Sequence, residues 1–271
     1  MPELPEVETT LRGISPKANN QTIKELIIRN ASLRWSVDSS LIQRLVGLKI
    51  IGVTRRAKYL LLETNVGHII IHLGMSGILR ILPQATPVKK HDHIDLILEN
   101  GFLLRYNDPR RFGCFLWTEE PIEQHKLLKH LAPEPLTDNF NTNYLVNICR
   151  NRKIAIKTLI MENKSVVGVG NIYANEALFA SKISPLRIAN TLSVSETSLL
   201  CQAIKTILTR AIEQGGTTLK DFLSPDGKPG YFVQKLAVYD KAGQACSNCQ
   251  QPIQKIIQAQ RASFFCPHCQ Q

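Results

Sequence analysis

The pattern of apolar and polar positions divides the chain into a β-rich part followed by a helical part. Near the start, Val7, Leu11 and Ile14 recur at helical spacing, and Pro5 suits a first helical position. Short apolar runs typical of strands follow near residues 48–54, 58–64, 68–73 and 78–82. The first 130 residues therefore predict a β-sandwich flanked by helices, in a protein of the α+β class.

A β-hairpin is predicted over residues 93–107. Ile94, Leu96 and Leu98 alternate with other residues, and a second apolar run begins after Asn100-Gly101. Asn-Gly favours a type I′ turn, because both of its residues readily adopt a positive φ. We therefore predict a type I′ turn at Asn100-Gly101.

The chain beyond residue 136 has helical periodicity. Ser193 and Glu196 form a capping box ahead of a long apolar stripe, which ends at Gly215. Shorter helices are predicted over residues 141–150, 154–161 and 171–182. The predicted domains are 1–131, a proline-containing linker at 132–136, a helical domain at 137–236 with a glycine-rich loop at 215–230, and a C-terminal segment at 237–271.

Four of the seven cysteines predict a metal site in the C-terminal segment. Two Cys-x-x-Cys pairs can each bind tetrahedral zinc through thiolates, while the residues between the pairs fold back as a hairpin. The four cysteines are Cys246, Cys249, Cys266 and Cys269. Four protein ligands close the coordination sphere, so one structural zinc ion is expected. The resulting finger is interpreted either as a DNA contact or as a protein-docking element.

Net charge points to a polyanionic partner. The chain carries 33 Lys and Arg against 22 Asp and Glu, a formal charge of +11. Nucleic acid, an anionic membrane surface or solubility alone would each explain this charge. The most apolar stretch, residues 68–82, is interrupted by polar residues, which argues against a membrane span. The acidic N-terminus does not resemble a signal peptide, and clustered cysteines favour a reducing compartment, so a cytoplasmic protein is expected.

The N-terminus offers a candidate nucleophile. If Met1 is removed, Pro2 becomes a secondary amine, and an α-amino group has a pKa near 8 against about 10.4 for lysine. Such an amine can attack an electrophilic sugar carbon and form an iminium ion, with Glu3 or Glu6 supplying the acid. The alternative is a frayed terminus in which Pro5 only starts a helix.

Four short segments carry features of phosphate or base contacts. Residues 168–171 precede a helix, whose N-terminal amides can bind a phosphate. Residues 108–113 combine arginines with Phe112, which suits phosphate contact and a wedge between bases. The basic runs at 55–58 and 150–153 are equally typical of solvated faces. A tightly packed glycine loop and a solvated loop with a core phenylalanine are the alternatives for the first two.

The order of these motifs resembles the formamidopyrimidine-DNA glycosylases, bacterial repair enzymes for oxidised purines in the helix–two-turns–helix superfamily. The resemblance covers the chain from end to end. It rests on PELPEVET at 2–9, RRAKYLLLE at 55–63, HLGMSG at 72–77, KHDHIDL at 90–96, DPRRFG at 108–113, VVGVGNIYANEALF at 166–179, GGTTLKDF at 215–222 and QRASFFCPHCQ at 260–270.

The resemblance implies a catalytic set. Pro2 would be the nucleophile that attacks C1′ of the damaged nucleotide, and Glu3 the general acid acting on the sugar. Lys58 would donate a proton in β-elimination, and Arg261 on the finger would serve δ-elimination. Glu6 would be a buried supporting carboxylate.

The resemblance also implies a set of DNA contacts. Met75, Arg110 and Phe112 would fill the space left by the extruded base, with Phe112 as the wedge. Phosphates would be contacted by His91, Arg110, Lys157 and Asn171. Residues 217–231 would cap the base, and Glu176 would lie in its pocket. Asn151 stands where the family often has a basic residue, so the contact belongs either to Asn151 or to a neighbouring arginine, Arg150 or Arg152.

The implied function is removal of oxidised purines from damaged double-stranded DNA by a monomer, with no membrane and no small-molecule cofactor. One alternative is the sister glycosylase for oxidised pyrimidines. Leu4, the DPRRFG loop and the long loop at 215–230 favour the purine enzyme. A second alternative is an inactive damage-sensing binder, against which the presence of Pro2, Glu3 and Lys58 argues.

Overall fold

A computed structural model describes residues 2–217 and 235–271, which form two compact units. The described residues of the first unit are 2–129 and 214–217, and those of the second are 130–213 and 235–271. Most of the predicted loop at 215–230 lies outside the described residues. The domain boundaries drawn from the sequence stay a prediction.

The first unit contains two four-stranded antiparallel sheets and the helix α1 (Leu4–Ala18). One sheet has the order β1 (Ile23–Ile28), β6 (Asp92–Leu98), β7 (Phe102–Asn107), β5 (Ile78–Pro83). The other has the order β2 (Ile50–Arg56), β3 (Tyr59–Thr64), β4 (His68–His72), β8 (Cys114–Thr118). A short helix, α2 (Leu41–Leu45), lies between β1 and β2 in sequence. The predicted strands and helix are confirmed, whereas β1, β8 and α2 were not predicted.

One apolar core joins the two sheets to α1. Leu62 and Ile71 from one sheet, Leu96 from the other and Ile14 from the helix belong to the same buried cluster. Burial of each such side chain contributes about 1.5–3 kcal/mol. The predicted sandwich is therefore confirmed, and its strand ends carry the loops that hold the candidate residues.

The predicted type I′ turn between β6 and β7 is wrong. Gly101 has a φ of 81°, but Asn100 is not among the residues with positive φ, and the loop spans three residues, 99–101. The Asn100 side chain accepts a hydrogen bond from the amide of Phe102 and donates one to the carbonyl of Lys17 in α1. The Asn100 side chain therefore contacts α1, and the loop has three residues instead of the two that Asn100-Gly101 indicates.

The second unit is helical and ends in a β-hairpin. Its elements are α3 (Thr142–Cys149), α4 (Ile156–Ile160), α5 (Asn171–Ala180), a 3₁₀ helix (Ala189–Thr191), α6 (Val194–Glu213), β9 (Gln254–Gln258) and β10 (Arg261–Phe265). The predicted capping box is confirmed, because the Glu196 amide donates to Ser193 Oγ and the Ser193 amide to Glu196 Oε2. No helix within the described ranges is long and apolar enough to cross a membrane.

Candidate active site and nucleic-acid interface

Two buried carboxylates lie at the N-terminus of α1, next to Pro2. Glu3 and Glu6 are each 2% exposed, and Pro2 is buried as well. Glu3 precedes the helix, and its amide donates to Glu6 Oε2 at 2.8 Å. The sequence-predicted nucleophile and acids are thus brought together by one helix end.

Glu6 also holds the first residue of the predicted base-capping segment, Thr217. Its Oε1 accepts hydrogen bonds from the amide of Thr217 at 2.8 Å and from Thr217 Oγ1 at 2.9 Å. Gly216 has a φ of 78°, and a Cβ there would lie 2.8 Å from Glu6 Oε1. Glycine at this position therefore allows the chain to approach the carboxylate.

Lys58 lies in the tight turn between β2 and β3, beside α1. The preceding residue, Ala57, has a φ of 53°, a conformation that alanine rarely adopts. The Arg55 guanidinium donates both to Glu8 of α1, at 3.0 Å, and to the Ala57 carbonyl, at 2.8 Å. Arg55 thereby fixes the turn against the helix whose end carries Pro2.

His72 is held neutral close to Lys58. Burial lowers the pKa of His72 to about 4, and the positive charge of Lys58 adds to the effect. The unprotonated Nδ1 accepts a hydrogen bond from the amide of Gly74 at 2.9 Å. A neutral imidazole therefore fixes the start of the segment that contains Met75.

The three residues expected to fill the space of an extruded base line one cavity of about 640 Å³. They are Met75, Arg110 and Phe112. Phe112 is 46% exposed, and the Arg110 guanidinium lies over its ring, 4.9 Å from the centroid. An exposed aromatic ring beside a cation suits insertion between bases.

Lys157 and Asn171 contact the finger hairpin. Lys157 is 2% exposed, and its ammonium group donates to the Ala262 carbonyl at 2.8 Å and to Ser263 Oγ at 2.7 Å. Asn171 Nδ2 donates to the same carbonyl at 3.0 Å, and its Oδ1 is buried without a hydrogen-bond partner among the described residues. Both side chains thus lie next to the strand that begins at Arg261.

Glu176 binds the chain that leads into the finger. Its carboxylate accepts hydrogen bonds from three consecutive amides, those of Ala237, Val238 and Tyr239, at 2.7, 3.0 and 2.8 Å. The described residues on each side of segment 218–234 are therefore attached to a buried glutamate, Thr217 to Glu6 and residues 237–239 to Glu176.

The basic run at 150–153 divides between paired and exposed side chains. Arg152 Nη2 lies 2.6 Å from Glu162 Oε2 in an ion pair. Arg150 and Asn151 are exposed. Which of these three residues contacts a phosphate stays an open prediction.

The four C-terminal cysteines form a zinc site. Their sulfur atoms all lie within 4.8 Å of one another, with Cys246 and Cys269 3.9 Å apart and Cys249 and Cys266 3.4 Å apart. Tetrahedral zinc with bonds of about 2.3 Å needs sulfur separations of about 3.8 Å. The donors therefore fit one structural zinc ion, as the sequence predicted. Arg261 is exposed on the hairpin between the two cysteine pairs.

Sequence reasoning missed two residues that organise the first unit, Arg55 and Asp108. Both belong to motifs noted for other residues, the basic run at 55–58 and the loop at 108–113. Asp108 is completely buried and accepts hydrogen bonds from several chain segments. The only signal for it was an acidic residue at the start of an otherwise basic loop.

Comparison with protein families defines the class of protein. Three family models match in order: a formamidopyrimidine-DNA glycosylase N-terminal domain at residues 1–115, the H2TH domain of the same enzymes at 131–223, and a zinc finger found in FPG and IleRS at 243–271. A helix–two-turns–helix DNA glycosylase with a zinc finger is the class that these matches and the site define.

Individual relatives and solved structures agree with this class. The chain is 63% identical to the formamidopyrimidine-DNA glycosylase of Hydrogenovibrio crunogenus, over 100% of this chain and 96% of that one. It is 59% identical to the enzyme of Salmonella typhimurium over the full length of both. The MutM (Fpg) protein of Thermus thermophilus superposes with a TM-score of 0.89 at 35% identity, covering 99% and 98% of the two chains.

A structure of Lactococcus lactis Fpg with DNA containing N7-benzyl-Fapy-dG superposes with a TM-score of 0.92 at 34% identity, over 100% of both chains. The chain belongs to the formamidopyrimidine-DNA glycosylase family. It is a DNA glycosylase of base-excision repair, in a family of glycosylase/AP lyases.

Proposed function

We propose that the protein removes oxidised purines, namely 8-oxoguanine and formamidopyrimidines, from duplex DNA and then cleaves the strand by β,δ-elimination. The observation that carries the proposal is the burial of Pro2 beside Glu3 and Glu6 at one helix end. A secondary amine flanked by buried acids has both components of Schiff-base chemistry, a nucleophile and a proton source.

The amine lone pair of Pro2 attacks C1′, and the electrons of the glycosidic bond leave with the base. The departing base takes up the proton that the Pro2 nitrogen loses. Glu3 protonates the sugar ring oxygen as the ring opens, which leaves an iminium ion between Pro2 and C1′. The iminium acidifies the C2′ proton, so that loss of this proton expels the 3′ phosphate. Lys58 serves as proton donor in this β-elimination. A second elimination, served by Arg261, releases the sugar and leaves a one-nucleotide gap.

The remaining candidate residues bind the DNA. An enzyme that acts on a base within a duplex extrudes that base from the stack. Met75, Arg110 and Phe112 fill the space that the base leaves. His91, Arg110, Lys157, Asn171 and Asn151 or a neighbouring arginine are assigned to phosphates. For Lys157 and Asn171, the contacts with Ala262 support a second contribution, which is to hold the strand of Arg261 in place.

Borohydride trapping on a duplex with a single 8-oxoguanine tests the proposal. We expect a covalent adduct whose cross-linked peptide begins at Pro2. Glu3→Gln should lose base removal but retain trapping on a duplex with a preformed abasic site. That site already exists partly as an open-chain aldehyde, with which Pro2 can form the iminium ion without protonation of a ring oxygen by Glu3. Absence of any adduct with the unaltered chain, or a mature protein that retains Met1, would contradict the assignment of Pro2.

A second candidate substrate is an oxidised pyrimidine. A complex of Lactococcus lactis Fpg, 34% identical to this chain, contains DNA with an oxidised pyrimidine. A panel of duplexes that differ only in the lesion separates the two candidates. Efficient release of oxidised pyrimidine with no release of 8-oxoguanine would reverse the assignment. Sedimentation of the free and DNA-bound protein tests the proposed monomer in the same samples.

A further inference from the structure

The Asp108 carboxylate joins three chain segments of the first unit. It is completely buried at the end of β7, where the loop 108–113 begins. Its Oδ1 accepts a hydrogen bond from Ser76 Oγ at 2.8 Å. Its Oδ2 accepts one from the amide of Gly113 at 2.9 Å and one from the Tyr106 hydroxyl at 3.2 Å. The side chain therefore connects the segment of Met75 to both ends of the loop that contains Arg110 and Phe112.

The backbone of Asp108 adds further connections. Its amide donates to the carbonyl of His91 at 3.1 Å, and its own carbonyl accepts from the amide of Arg111 at 3.1 Å. His91 has a φ of 70°, so its main chain is held in a conformation that non-glycine residues rarely adopt. Ser76 Oγ, which donates to Asp108, also accepts from the amide of Arg110 at 3.2 Å.

The connected segments approach one another too closely to shift independently. A Cβ at Gly113 would lie 1.8 Å from the Tyr106 hydroxyl, and a Cβ at Gly74 would lie 2.5 Å from the Gly113 amide nitrogen. Main chain thus contacts main chain where the two loops meet. A carboxylate suits this junction, because its two oxygens accept several hydrogen bonds and donate none.

We propose that Asp108 is the positioning residue that holds Met75, His91, Arg110 and Phe112 as one rigid set for insertion into the duplex. The inference rests on the DNA-contacting function proposed above for those four residues. Asp108 touches neither substrate nor reacting atoms in this scheme. It acts by fixing the relative positions of the wedge, the two side chains beside it and one phosphate contact.

Asp108→Asn is the informative substitution. Asparagine has nearly the same shape, but its amide would present N–H donors where the carboxylate accepts from Gly113 or Ser76, so at least one hydrogen bond is lost. Phe112→Ala, which removes the wedge itself, is the reference variant, and exposed Asp138→Asn in the second unit is the matched control. Ser76→Ala removes a single hydroxyl from the same junction and should act in the same direction more weakly.

Two measurements separate positioning from a general defect. The first uses a duplex with a tetrahydrofuran abasic analogue and 2-aminopurine in the opposite strand, whose fluorescence rises when the base unstacks. The second is borohydride trapping on a single-stranded oligonucleotide with an abasic site, which needs no wedge. For Asp108→Asn we expect loss of most of the fluorescence rise and about tenfold weaker duplex binding, as for Phe112→Ala. Trapping on the single strand should stay within about twofold of the unaltered protein.

Other outcomes would contradict either the positioning by Asp108 or the proposed function. A normal fluorescence rise in Asp108→Asn overturns the inference, and so does a parallel loss of single-strand trapping, which would indicate a folding defect common to the whole unit. If the unaltered chain traps abasic sites but never unstacks 2-aminopurine, the inference fails and the proposed chemistry stands. If the unaltered chain traps no abasic site, the proposed function itself fails.

Discussion

Two β-hairpins, β6–β7 in the first unit and β9–β10 in the second, are stabilised in different ways. Every residue of β6 in the first unit is buried, whereas none of the residues of β9 in the second unit is fully buried. The turn after β6 contains one residue with positive φ, Gly101. The turn after β9 contains two, Ala259 at 46° and Gln260 at 62°, and neither is glycine or asparagine.

The difference shows what fixes the register of each hairpin. In the first, apolar side chains and the buried pair of Asp95 and Arg105 align the strands. In the second, alignment comes from the zinc site and from hydrogen bonds with helices, such as the one from the Phe264 amide to Asn175 Oδ1 at 2.7 Å. Residues in the left-handed region cost about 1–2 kcal/mol each, which zinc binding of about 10–16 kcal/mol offsets.

Removal of zinc should therefore affect the two hairpins very differently. With a chelator, or in Cys266→Ser, we expect amides of β9 and β10 to lose protection from hydrogen exchange, since zinc contributes on the order of 10 kcal/mol. Amides of β6 and β7 should retain their protection in the same sample. Zinc content and exchange are measured together by mass spectrometry. Equal loss of protection in both hairpins would show that the first also depends on the metal.

Asp95→Asn should disturb the first hairpin and leave the second intact. Asp95 is 1% exposed and accepts two hydrogen bonds from Arg105, at 2.8 Å each, and one from Arg29 at 2.6 Å. Removing this charge leaves Arg29 without its carboxylate and leaves Arg105 with only the more distant carboxylate of Asp92, 3.6 Å away, which costs about 3 kcal/mol. Urea unfolding at pH 7 measures the loss, with Asp138→Asn as the exposed control. A change below about 0.5 kcal/mol would contradict a structural contribution of the pair.

Acid titration of the same variant tests the contribution of the Asp95 charge to stability. Burial alone would raise the pKa of Asp95, but hydrogen bonds from Arg105 and Arg29 lower it below the ordinary 3.8. A lowered pKa means that the unfolded state binds protons first, so stability is lost as the pH falls below about 3.8. The free energy of unfolding of the unaltered protein should fall in this range, and that of Asp95→Asn should fall less. Above about pH 5, the difference in unfolding free energy between the two proteins should stay constant.

Sequence patterns predicted the elements that have regular periodicity, and missed those that depend on contacts between residues far apart in the chain. The capping box at Ser193 and the four cysteines are local signals with fixed spacing, and both predictions are confirmed. The polar-interrupted strand β1 is defined by pairing with β6, a partner far away in sequence. The function of Asp108 depends on Ser76, Gly113 and His91 lying together, which no spacing within the chain indicates.

The smallest expected effect concerns the turns themselves. In the finger, Ala259→Asn combined with Gln260→Gly creates the dipeptide that suits two positive φ values, and should stabilise the hairpin by about 1 kcal/mol. In the first hairpin, Gly101→Ala should destabilise by about 1 kcal/mol, because φ there is 81° although space for a Cβ is open. Chelator midpoints measure the first change and urea midpoints the second. If the finger variant releases zinc at the same chelator concentration as the unaltered protein, or at a lower one, then Ala259 and Gln260 carry no strain. The turn of the finger would then resemble the β6–β7 turn more closely than its dihedral angles indicate.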